Sequence, residues 1–117
     1  MKVLSVIIRS TPYQNYLAEI QDLILAQSAF FDHLNILFIH QGVLQLINQQ
    51  NPPKLTHKNF SNIYKTFRLY DIDSIYVDEQ SLKQFNLQSN QLLLDSKIIA
   101  NAEVKQILDQ SNFILNY

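Results

Sequence analysis

Four short apolar runs in this 117-residue chain end in residues able to move protons or hold a ligand: Ser10 and Thr11, His40 and Gln41, Asp78 and Glu79, and Asp95. Ligands of open parallel α/β sheets sit beyond the carboxyl ends of the strands, so these residues come first. His40 with Asp78 would make an acid–base pair, because imidazole changes charge near neutral pH and a carboxylate can orient it. The bland reading is a hydrogen-bonded or solvated strand-end histidine, and spacing alone does not bring the two side chains together. His33, His40 and His57 are too scattered for a zinc spacing and no cysteine joins them, so no metal or other cofactor is expected. Ser10-Thr11 echoes a phosphate-binding turn without its glycines, and the first run ends in Arg9-Ser10-Thr11 where a receiver domain would need an acidic cluster. Asp71-Ile72-Asp73 reads as a solvated lead-in to a strand.

Composition narrows the chemistry further. There is no cysteine, which excludes disulfides, thiolate metal sites, a thiol nucleophile and any sulfur carried on this chain as a persulfide. The single glycine, Gly42, excludes dinucleotide fingerprints and phosphate-cradling loops. Nine Lys+Arg against ten Asp+Glu give a formal net charge of −1, the wrong balance for a stand-alone nucleic-acid binder. The apolar run after Lys2 is about six residues long and stops at Arg9, too short for a secretory core or for the roughly 20 residues of a membrane span. A soluble, cytoplasmic protein is expected, with no membrane contact.

The elements that must position these residues follow from apolar patterning. Val3 to Ile8 and Leu34 to Ile39 are mostly branched apolar runs, the pattern of strands buried on both faces. Between them, Leu17, Ile20, Ile24 and Phe31 recur at helical spacing, which predicts an amphipathic helix from Tyr13 to about Phe31. Gly42 falls where a sharp turn is needed, and Val43 to Ile47 reads as a short helix ended by Asn51-Pro52-Pro53. A further helix is predicted from about Lys58 to Leu69, a third strand over Ile72 to Val77, a short helix over Gln80 to Phe85, and a fourth strand at Leu92-Leu93-Leu94. Val104, Ile107 and Leu108 mark a last helix, and Phe113-Ile114-Leu115 a fifth strand. Strands alternating with helices imply βαβ units, and hence a single α/β domain over 1–117 with a parallel sheet covered on both faces.

The run from Asp32 to Leu46, then Phe67-Arg68-Leu69-Tyr70-Asp71-Ile72, then Val77 to Leu87, and the ending Asn112 to Tyr117 occur in an order and spacing that resemble the DsrE family, in particular its TusC-type, DsrF-like branch. The resemblance covers nearly the whole chain. It implies a three-layer α/β/α sandwich with a five-stranded parallel sheet. It further implies a non-catalytic subunit of a TusBCD-like heterohexamer, beside TusB-like and TusD-like homologous subunits, relaying sulfur toward 2-thiolation of the tRNA wobble uridine. In that family the sulfur rides as a persulfide on a cysteine of the TusD-like subunit, just after a central strand, and Asp78 stands at the matching position here. An aspartate accepts no sulfane sulfur. Gln41 is a second departure, since relatives commonly place Asp before the glycine.

Subunit contacts are expected at the aromatic helix edge of Tyr64, Phe67 and Tyr70, and at the strand-end surface around Gly42 and Asp78. Any tRNA contact is expected to fall to a downstream enzyme. Two alternatives from other classes are a stand-alone small enzyme using His40 and Asp78, and a regulatory binding module of the same fold.

Overall fold

The computed structural model describes residues 2–9, 17–46, 72, 74–88 and 96–117. Five strands form one sheet in the order β4-β3-β2-β1-β5: β1 (Val3–Ile8), β2 (His33–Phe38), β3 (Ser74–Asp78), β4 (Lys97–Ile99) and β5 (Phe113–Asn116). Every pairing is parallel, with Val3 opposite His33, Asn35 opposite Ser74, Tyr76 opposite Lys97 and Leu4 opposite Phe113. The helices are α1 (Leu17–Gln27), α2 (Glu79–Gln84) and α3 (Asn101–Asp109), with a 3-10 helix over His40–Leu46.

The strand order explains the layers. From β1 to β4 the chain steps one way across the sheet, and right-handed crossovers then put α1 and α2 on one face. From β4 to β5 it steps back over three strands, so the same handedness puts α3 on the other face. The packing agrees. Ile24 of α1, Val43 of the 3-10 helix and Leu82 of α2 bury against Val6, Ile8, Ile36, Phe38 and Val77. Val104 of α3, flanked by Ile107 and Leu108, buries against Leu37 and Ile99, which point the opposite way. Each such side chain taken from water contributes about 1.5–3 kcal/mol, and the strand interiors supply most of them.

The second face also carries a polar seam. Asn35 Nδ2 donates to Ser5 Oγ at 3.2 Å, the Ser5 and Ser111 hydroxyls lie 2.5 Å apart, and His33 Nε2 lies 2.9 Å from Asn35 Oδ1. Ser111 Oγ donates onward to the Ile107 carbonyl at 2.7 Å, so the seam joins β1 and β2 to the turn after α3. Ser5 and Asn35 are buried, and each has a partner for its side chain.

Several expectations are corrected. α1 ends at Gln27, short of Phe31, because the chain must turn through Ser28 to Phe30 so that the Asp32 and His33 amides can both donate to the Lys2 carbonyl and start β2. Among the described residues the sheet's fourth strand is Lys97–Ile99, and the strand predicted at Leu92 to Leu94 lies outside the described residues. The carboxyl end of β4 therefore leads into Ala100 and Asn101, where the sequence reading had placed Asp95. The predicted helix over Lys58 to Leu69, with Tyr64, Phe67 and Tyr70, also lies outside the described residues, as do Ser10, Thr11 and His57.

Gly42 serves a different end from the one expected. It lies within the 3-10 helix with an ordinary negative φ, and the left-handed conformation falls on His40 instead, at φ 51°. What requires glycine is proximity: a Cβ at position 42 would overlap the carbonyl oxygen of Ile8 at the end of β1. That carbonyl accepts from the Ile39 amide at 3.1 Å, and Gly42 N–H donates to Ile39 O at 2.9 Å, so the 3-10 helix sits directly against β1.

Candidate functional site

β2, β3 and β4 all end at one side of the sheet, and the segments that follow them surround a cleft of about 380 Å³. His40 enters from the end of β2, Asp78 from the end of β3, Gln80, Ser81 and Gln84 from α2, and Asn101 from the start of α3. Ile39 and Val104 supply apolar wall.

Asp78 organises the floor. It ends β3 in an extended conformation (φ −72°, ψ 120°) and caps α2, its Oδ2 accepting from the Ser81 amide at 3.1 Å. The Ser81 hydroxyl donates to the same oxygen at 2.6 Å and accepts from the His40 amide at 2.7 Å. A continuous chain of hydrogen bonds thus runs from the backbone of His40 through Ser81 to Asp78. It also holds His40 in its left-handed conformation, which costs a residue with a β-carbon on the order of 1–2 kcal/mol.

The other carboxylate oxygen, Oδ1 of Asp78, is buried and has no hydrogen-bond partner among the described residues. The residue as a whole is 8% exposed. An unpaired buried acceptor is unfavourable, and most such groups in folded proteins find a partner.

The structure brings His40 and Asp78 to one cleft, as the strand-end reading anticipated, but joins them through the His40 backbone and Ser81. The ring is not bonded to the carboxylate. Gly42 is buried within the 3-10 helix, against the end of β1, and its neighbours His40 and Gln41 are exposed. Sequence reasoning missed Ser81, Gln80, Gln84 and Asn101. The Asp-x-x-Ser spacing of a helix cap was available as a signal for Ser81. Among the described residues no group of three or more His, Asp or Glu side chains is placed to hold a metal ion, and no helix is long and apolar enough to cross a membrane.

The fold has close counterparts. The ychN protein from E. coli superposes with a TM-score of 0.82 over 100% of both chains at 14% identity. A conserved protein of unknown function from Bacteroides thetaiotaomicron gives 0.75 at 12% identity, over 99% of this chain and 95% of the other. At these identities the likeness concerns fold alone. Sequence relatives are nearer. A TusC homolog from Vibrio vulnificus is 33% identical over the full length of both chains, and one from Vibrio parahaemolyticus is 32% identical, also over both full lengths. A further TusC homolog, from Aliivibrio fischeri, is 33% identical over 80% of each chain. The DsrE/DsrF-like family model matches residues 2–117, taking in all five strands and the cleft at the ends of β2, β3 and β4. With sheet, strand order and full-length sequence likeness in agreement, this chain belongs to the DsrE/DsrF-like family.

Proposed function

We propose that this chain is a non-catalytic subunit of a TusBCD-like sulfurtransferase complex, in the relay that supplies sulfur for 2-thiolation of the tRNA wobble uridine. One observation carries the reading: a chain similar along its whole length to TusC homologs contains no cysteine and presents Asp78 at the end of β3. A carboxylate forms no persulfide, so the transferable sulfur rides on the TusD-like sister subunit and this chain supports that site. Its partners are the TusB-like and TusD-like subunits of a cytoplasmic heterohexamer, meeting it at the edge of Tyr64, Phe67 and Tyr70 and at the strand-end surface beside Asp78. A net charge of −1 favours leaving tRNA contact to the downstream enzyme.

Co-expression with both sister subunits and native mass measurement test this. One assembly containing all three chains is expected; elution of this chain alone, with no shift in size, overturns the reading.

A second reading, a small acid–base enzyme, is favoured by the presence of His40 and Asp78 in one cleft. His40→Ala separates the two. The subunit reading expects sulfur transfer by the assembled complex to survive the change, and the enzyme reading expects the chain's activity to be lost.

A further inference from the structure

We infer that the cleft at the ends of β2, β3 and β4 binds a single cationic nitrogen group, an alkylammonium or guanidinium, with Asp78 Oδ1 as its acceptor. Three observations converge. Oδ1 is a buried carboxylate oxygen with no partner among the described residues, while Oδ2 of the same group is fully used by Ser81. Asp78 lines a cleft of about 380 Å³, near the lower end of small-ligand sites, which is ample for one side-chain-sized group. Among the described residues that line it there is no lysine or arginine.

The chemistry of the wall selects the ligand. A carboxylate without a counter-charge disfavours an anion such as sulfate or a thiolate. Too few carboxylate and imidazole ligands converge for a metal ion among the described residues. An ammonium or guanidinium brings only donors, which is what an orphan acceptor lacks, and such charge-assisted hydrogen bonds are the stronger kind. The side-chain carbonyls of Gln80, Gln84 and Asn101 can accept the remaining N–H groups, and Ile39 and Val104 can pack the alkyl stem. Gln80 and Gln84 are solvent exposed, so their side chains can reorient on the ps–ns scale as the group enters the cleft.

The inference stands on the cleft of this chain and does not depend on the assembly proposed above. The test is a titration of the isolated full-length chain with n-butylammonium and with methylguanidinium at constant ionic strength, followed by amide NMR. n-Butanol and sulfate serve as controls. Saturable shifts at the His40 and Ser81 amides are expected, with affinity about tenfold or more weaker in Asp78→Asn. Asparagine still caps α2, so that variant keeps the local fold. If it does not fold, Asn101→Trp, an exposed rim position, serves instead and is expected to block binding.

Shifts no larger than those with n-butanol, saturable binding of sulfate at the same amides, or unchanged affinity in the variant would overturn the proposal. Repeating the titration on the chain assembled with its sister subunits identifies the source of the cation. Retained binding indicates a free small amine, and loss of binding indicates a lysine or arginine of a sister chain already seated there.

Discussion

Ser81 reaches Asp78 twice: its amide and its hydroxyl both donate to Oδ2, at 3.1 and 2.6 Å, while the same hydroxyl accepts the His40 amide at 2.7 Å. One serine therefore fastens the end of β2 to the end of β3. The consequences of that fastening are measurable.

Replacing Asp78 by alanine removes a helix cap and the acceptor of the Ser81 hydroxyl. Urea unfolding is expected to show a loss of about 1–2 kcal/mol, with Asp78→Asn losing about 0.5 kcal/mol or less. Equal losses in the two variants would show that the cap contributes little.

At position 40 the left-handed backbone strains any residue with a β-carbon. His40→Gly is therefore expected to be more stable than His40→Ala by about 1 kcal/mol, a reversal of the usual order for these residues in helical segments. The comparison of the two denaturation midpoints, at equal m-value, decides the matter.

Gly42→Ala pushes a methyl group into the Ile8 carbonyl, and that contact is backbone on both sides. A destabilisation of about 2 kcal/mol or more is expected, read as a drop in melting temperature or loss of soluble protein. A variant that melts like the parent would mean that the 3-10 helix can lift from β1 at little cost.

In the polar seam of Ser5, Asn35 and Ser111 the first two are buried and the side chains are bonded to one another, so its members should not act independently. Asn35→Ala alone leaves groups unpaired and is expected to cost about 1–3 kcal/mol. In a double-mutant cycle with Ser5→Ala, a coupling energy of at least about 0.5 kcal/mol is expected. Strict additivity would count against the seam as a unit.

How much of this was legible in the sequence depends on how each residue is constrained. β1 and β2 are buried on both faces, and their branched apolar runs announce them. β4 is three residues at the sheet edge, beginning with an exposed lysine, and a nearby run of leucines outweighs it in any apolar pattern. His40 and Asp78 were legible because strand ends are where parallel sheets place their ligands. For Ser81 the cap spacing after Asp78 was legible, but its reach to the His40 backbone beyond another strand was not. Gly42 was found for the wrong reason, because close approach of two distant segments leaves no local trace.

The strand order has one more consequence, for how the sheet opens. β1 pairs with β2 across 30 residues and with β5 across 109. By chain statistics alone, closing the longer loop costs about 1 kcal/mol more. β5 offers little in return: it pairs on one side only, and Phe113 and Ile114 remain 53% and 48% exposed. Peeling of β5 from β1 is thus a low-cost local opening, and its amides should exchange with deuterated solvent ahead of those shared by β1, β2 and β3. Each such opening uncovers the unpaired N–H and C=O groups along the edge of β1, so β5 works as the sheet's removable guard against edge-to-edge aggregation.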